Sequence, residues 1–265
     1  MLGLGLGLGL APTSGGIRYR PEALALFERM SVEPTNARKA QINALFSSVA
    51  SILPKLDSLY LTAAHDAQAA RLNWVADQYN LSAVNSPTFV TDSGYTGNGT
   101  SSYLSTGMVT STLNSSGKMK QNSLTMGAFV LSEVNALQAV VGSTSDGSNS
   151  LFLIPNYSTR VTRGAAYSAA DGYVFASPQT TIEQYSIARN DVASFILRRA
   201  GADLPTILQT SQTPGANNID VLRGVGTYFP GEVGAAFFGE FLSNAEDLAL
   251  RNAIRSYLVS IGRLP

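Results

Sequence analysis

The sequence predicts a mostly β protein: an antiparallel sandwich with helices at its N-terminal end and one helix at its C-terminal end. Three observations carry this. From about residue 56 onward, short apolar runs alternate with closely spaced turn signals, among them Gly97-Asn98-Gly99, Asp146-Gly147, Asp171-Gly172, Pro214-Gly215 and Pro230-Gly231. Such spacing suits short antiparallel strands rather than the long crossovers of a parallel sheet. Before it, Ile42, Leu45, Phe46, Val49, Ile52 and Leu53 recur at helical steps. After it, Ser243 and Glu246 stand three apart ahead of an apolar stripe, the pattern of a capping box.

The chain opens with an alternation of leucine and glycine. Leu2, Leu4, Leu6, Leu8 and Leu10 share one parity, so an extended backbone places all five on one side. The stretch has no basic start and no continuous apolar run, so it does not read as a signal peptide; it is also too short and glycine-rich for a membrane span. Glycine weakens a lone strand, and the segment is therefore expected to be an assembly arm that orders only against a partner. The plain alternative is a disordered N-terminus.

Pro21 suits a first helical position, with Leu24, Phe27 and Met30 following at helical spacing. Thr35 or Asn36 can cap the second helix, and Pro54 stops it. Leu59–Leu61 reads as a strand; Ser, Thr, Asn and Gly then dominate residues 81–120, with small apolar pieces at Thr88–Val90 and Ser102–Leu104. Further strand-like runs lie at 124–131, 139–141, 151–154, 172–175, 184–188, 194–198, 220–222 and 235–241. Leu250, Ile254, Tyr257, Leu258 and Ile261 form the last stripe, and Gly262 suits a left-handed helix end, so a helix is expected from about 244 to 261. The division expected is an anchoring arm with helices at 1–55 and one cooperative sandwich, capped by the last helix, at 56–265.

Eighteen basic residues balance eighteen acidic ones. A neutral chain gives no electrostatic reason to expect nucleic acid or an anionic membrane as partner. Charged residues make up 14%, against ~25% in ordinary domains, so hydroxyls, amides and glycine must cover the surface. The absence of cysteine removes disulfides, thiolate catalysis and cysteine-bound metals. A single histidine, His65, removes sites needing two imidazoles.

The segment Leu59-Tyr60-Leu61-Thr62-Ala63-Ala64-His65-Asp66, continuing through Arg71 to Asn73-Trp74, resembles one that recurs in bacteriophage and prophage structural proteins. So do Ser86–Gly99, the following Ser101–Gly107, and Phe238-Gly239 ahead of the last helix. The resemblance covers residues 56–265 and implies a concanavalin A-like (laminin-G-like) jelly roll. It implies a non-enzymatic virion component, on head or tail, as a fibre, spike or decoration protein. Its partners would then be capsid or tail proteins and further copies of itself, a homotrimer being the favoured assembly. A lectin-like adhesin for a host surface glycan is the alternative. Within this picture Gly94, Gly97 and Gly99 would permit positive backbone angles, and Trp74 and Phe89 would fill space under the sheets.

No catalytic, metal or cofactor site is expected. His65 beside Asp66 reads as a local turn, and no Gly-x-Ser-x-Gly elbow accompanies it. Glycoside cleavage needs two carboxylates ~5–9.5 Å apart, yet Glu133, Glu183, Asp191, Glu232 and Glu240 sit singly on separate segments. Asp92 with Asn98, or Asp146 with Asn149, could offer calcium oxygen ligands, but both pairs read more simply as turn formers. Arg160, Arg163, Arg198 and Arg199 read as scattered solvated charges. An adhesin would gather exposed aromatics, with Tyr157, Tyr167 and Tyr173 as the candidates, in one groove.

Overall fold

A computed structural model describes residues 18–132, 137–143, 149–158, 161–175 and 182–265, with the backbone alone at 158 and 173–175. The five leucines of the arm lie outside these residues, as do Glu133, Asp146 and Arg160.

Two helices come first, α1 (Pro21–Phe27) and α2 (Asn36–Ser48). Four strands follow: β1 (Leu56–Tyr60), β2 (Ser82–Val84), β3 (Thr88–Val90) and β4 (Gly94–Thr96). Strand β5 (Tyr103–Val109) runs into a short helix, α3 (Thr110–Ser116). Then come β6 (Leu124–Val130), β7 (Val141–Ser143), β8 (Ser150–Ser158), β9 (Val161–Ser168) and β10 (Gly172–Phe175). Strands β11 (Glu183–Arg189) and β12 (Ser194–Arg199) lead to two short pieces, β13 (Ala202–Asp203) and β14 (Ile207–Leu208). Strand β15 (Asn218–Val221), the hairpin β16 (Arg223–Gly224) with β17 (Thr227–Tyr228), β18 (Glu232–Gly239) and α4 (Asn244–Ser260) complete the chain.

All pairings are antiparallel. One sheet runs β13-β12-β11-β6-β18-β4-β3, with β1 also on β18 and β14 on β12; the other runs β10-β9-β8-β7-β15-β5-β2. The two face each other as the predicted jelly-roll sandwich. Side chains alternate across each strand. On β6, Met126, Ala128 and Val130 enter the core between the sheets, while Phe129 points outward under the helices. Strand β18 does the same with Ala236 and Phe238 inward, and Ala235 and Phe237 outward. Because both faces of the first sheet are covered, the run at 124–131 is apolar on both parities, Thr125 apart.

The cover is made by α1, α2 and α4. Ile42, Leu45 and Phe46 of α2 join Leu250, Ile254, Tyr257 and Leu258 of α4 in one cluster with that sheet face. The change at residue 55 is thus one of secondary structure and not a break in the core. Thr35 caps α2 by accepting from the amide of Arg38 at 3.2 Å, and the capping box at Ser243 and Glu246 is complete. On α1 the buried face is Ala23 and Leu26, not the expected Leu24, which is 47% exposed. The helix is only two turns long, so its orientation on α2 decides what is buried.

Trp74 is a buried filler under the first sheet, as expected, and lies in the helical layer, stacked on Phe46 at 5.5 Å and edge-on to Tyr257 at 5.7 Å. Two other expectations are corrected. Phe89 is only half-buried, beside Tyr95. Gly94 and Gly99 adopt positive φ, of 127° and 75°. Gly97 does not, and serves close approach instead: a Cβ there would stand 2.1 Å from the carbonyl oxygen of Phe229.

Candidate functional site

The second sheet has no helical cover among the described residues. Its outer face carries a half-open cavity of about 340 Å³, within the ~300–1,000 Å³ usual for small-ligand sites. The register of β8 with β9 builds its floor. Phe152 pairs with Ala165, and Ile154 with Arg163, so all four project to the side away from the core. Residues 168–171 after β9 form one wall, and Val225 and Thr227 of the β16–β17 hairpin form another. The lining is therefore an apolar floor bordered by the hydroxyl residues Ser150, Ser168 and Thr227.

Arg163 supplies the cavity's described cation. Its guanidinium lies 4.6 Å from the Tyr157 ring centroid and 5.4 Å from that of Phe152, and its Nε donates to the carboxylate of Asp171. Ring faces favour a cation at such distances. Arg163 is thus held on several sides and is no scattered solvated charge.

The hairpin is pinned by backbone bonds. The Val225 amide donates to the Ser143 carbonyl at 2.7 Å, and Phe229 to that of Leu222 at 2.8 Å. Thr227 accepts from the Ala139 amide at 3.1 Å and donates to the Gly224 carbonyl at 2.8 Å. Leu222 and Val225 are held at positive φ, 67° and 44°, which a branched side chain rarely tolerates. Beside the hairpin, Arg223 lies 4.7 Å from the Tyr103 ring and 5.3 Å from Tyr228, and it donates to the buried Asp220 at 3.3 Å. Burial pushes the Asp220 carboxyl up to about 6, the nearby Arg223 opposing it.

The residues singled out in the sequence mostly do not meet. His65 Nε2 lies 2.9 Å from the Val32 carbonyl and 3.1 Å from Asp66, whose other oxygen accepts from the amides of Gln68 and Ala69; this is the expected turn. Glu183 accepts from Arg251 at 2.9 Å, and Glu232 from Arg263 at 2.8 Å. Asp191 accepts from the amides of Ala193 and Ser194, which with the Ser194 hydroxyl holds its carboxyl below the usual range. Glu240 lies 3.9 Å from Lys55. Asp92 pairs with Arg38 at 2.7 Å, while Asn98 accepts from the amides of Thr100, Ser101 and Ser102. Among the described residues no group of three or more potential ligands is placed to hold a metal.

Of the three tyrosines proposed for a glycan groove, Tyr157 flanks the cavity. Tyr167 is wholly buried in the core, and the Tyr173 side chain lies outside the described residues. Arg198 is not solvated either: it is 1% exposed, donating to Asp203 at 2.5 Å and to the Leu242 carbonyl at 2.8 Å. Phe152, Asp171, Val225 and Thr227 carried no signal as site residues, because the three segments that supply them meet only through the fold.

Neither a known family nor a curated protein matches the sequence. Solved structures do match its fold. Domain 4 of AbnA, a GH43 extracellular arabinanase from Geobacillus stearothermophilus solved with arabinotriose, aligns over 74% of this chain and 100% of its own at 11% identity and a TM-score of 0.52. Trypanosoma rangeli sialidase aligns over 80% of this chain but 38% of its own, at 13% identity and 0.51. A mutant of the protein HCR/D aligns over 76% and 53%, at 11% and 0.53. At such identities the likeness establishes the β-sandwich and nothing finer.

Proposed function

We propose that this chain is a non-enzymatic structural component of a tailed-phage virion, a fibre, spike or decoration protein that displays its jelly roll outward. The sequence resemblance over residues 56–265 suggests the setting. The observation that supports a display role is the two-sided build: helices seal one sheet, while the other carries a half-open cavity on the side away from them. A non-catalytic reading is supported by Glu183 and Glu232, each paired with an arginine, and by Asp191, which closes a turn. The test is to localise the protein in purified particles by labelled electron microscopy. Its absence from particles overturns the reading.

The cavity favours a second role for the same module, that of a lectin-like adhesin for a host surface glycan. Sugars present apolar C–H faces and hydroxyl edges, which the floor of Phe152, Ile154 and Ala165 and the rim of Ser150, Ser168 and Thr227 can meet. The domain of the arabinanase was solved with arabinotriose, so a module of this fold can accompany a saccharide. Screening the full chain on a glycan array tests it, and Phe152→Ala should abolish any signal.

A further inference from the structure

We propose that the cavity on the outer face of the second sheet selects uncharged saccharides and rejects those bearing carboxylates, because Asp171 already occupies its cation. The inference rests on the glycan-binding reading above. Arg163 and Asp171 are the charged groups among the described lining residues, one of each sign, and they are paired with each other. An arginine recognises a carboxylate by presenting two N–H groups in one plane. Here the Nε edge is committed to Asp171, and Tyr157 and Phe152 lie against the guanidinium at 4.6 and 5.4 Å. An acidic sugar that approached the guanidinium would bring a second negative charge against the Asp171 carboxylate, which is only 21% exposed. A neutral sugar has no such cost: its hydroxyls can exchange hydrogen bonds with the polar groups that line the cavity. The pair then acts as a filter, its Asp171 carboxylate able to accept from sugar hydroxyls while excluding carboxylates.

The test is titration calorimetry of the full-length protein with three sets of oligosaccharides: neutral hexose or pentose, sialylated, and uronate-containing. Wild-type protein should bind a neutral set at least about tenfold more tightly than either acidic set. Asp171→Asn removes the repelling carboxylate and should raise affinity for the acidic sets by about tenfold or more, with the gain lost at high salt. Wild-type binding that favours acidic sugars, and falls on Arg163→Gln, overturns the inference while leaving the glycan-binding reading standing. Binding of none of the three sets overturns both. The wild-type comparison needs no variant, so misfolding of Asp171→Asn, checked by circular dichroism, does not remove the test.

Discussion

Gly224 lies against Gly142: a Cβ added to Gly224 would stand 3.1 Å from the Cα of Gly142 and 2.8 Å from the Cβ of Ala139. Gly142 in turn pairs with Phe152 on β8, the floor of the cavity. Two residues without side chains thus let the β16–β17 hairpin rest on the sheet and wall the site. Gly224→Ala must lift the hairpin, a change expected to cost about 1–3 kcal/mol in urea unfolding. It should also weaken saccharide binding more than a distant substitution of equal cost. Unchanged stability and binding would show that the hairpin is not seated by this contact.

Asp247, fully buried in the first turn of α4, makes stability depend on pH. Burial pushes its carboxyl up to about 6, against the attraction of Arg198 and hydrogen bonds from Ser186 and Gln184. In the unfolded chain an aspartate titrates near ~3.9, so between those values the folded state holds a proton that the unfolded state has lost. Stability therefore falls as pH rises from about 4 to about 6 and stays at the lower level above. Asp220, raised to about 6 by its own burial, acts in the same direction. Melting scans are expected to give a higher Tm at pH 5 than at pH 7.5, each group contributing about 1–3 kcal/mol. Asp247→Asn should flatten part of that slope, and a slope identical to wild type would exclude Asp247 as its source.

Arg189 is 1% exposed and spends its guanidinium on backbone carbonyls: Ala166 at 2.8 Å, Gln209 at 2.9 Å, and Asp191 and Val192 at 3.2 Å each. It ties β9 to the loops at 190–193 and 209. Arg189→Leu strands the buried Ala166 carbonyl, whereas Asp191 and Val192 are exposed and Val192 keeps the Ser211 amide, so a loss of about 1–3 kcal/mol is expected by denaturant unfolding. Lysine keeps the charge without the planar fork and should recover only a fraction. A loss under about 1 kcal/mol from Arg189→Leu would mean that water replaces the guanidinium.

A fragment starting at residue 56 is expected to lose cooperative folding, contrary to what the sequence alone suggests. Removing α1 and α2 takes Leu26, Ile42, Leu45 and Phe46 from the cluster that contains Phe129, Phe237 and Tyr257. Each such side chain contributes ~1.5–3 kcal/mol, a loss that rivals the whole ~5–15 kcal/mol margin of a domain. Dye binding to exposed apolar surface and a broadened melt are the expected readouts. A sharp, wild-type-like melt would show the helices to be dispensable.

Deletion of residues 1–16, by contrast, is expected to leave Tm unchanged while abolishing assembly or virion incorporation. Five leucines on one face offer ~7–15 kcal/mol of burial, set against ~10–20 kcal/mol to order the backbone. Under the proposed function, docking on another subunit, or on the capsid or tail, would add the backbone hydrogen bonds that tip this balance. Normal incorporation of the truncated protein would remove the anchoring role.

Elements encoded locally were legible in the sequence. The capping box at Ser243, the stripe of α2 and the strand at 124–131 needed only neighbours within a few residues. Strand β9 was not, because Val161-Thr162-Arg163-Gly164-Ala165-Ala166 mixes small and charged residues that only its partners β8 and β10 make into a strand. Helix α3 was hidden for a similar reason: Thr110–Ser116 is rich in hydroxyls and reads as a turn. The cavity could not be read at all. Arginines that resembled surface charge, Arg163 and Arg198, gained partners only through long-range packing, and composition carries no trace of that.

The helical cover also determines where this protein is free to vary. Every position of β6 is buried, and its side chains and those of β18 pack alternately against the opposite sheet and the helices, so change is penalised whichever way a residue points. On β8 and β9 the outward residues Phe152, Ile154 and Arg163 pack on their sheet neighbours and line the cavity, away from the core between the sheets. If the cavity is a recognition site, as proposed, a lineage could alter those three while leaving the core and the helical side untouched, and descendants that bind different surfaces would still share one scaffold.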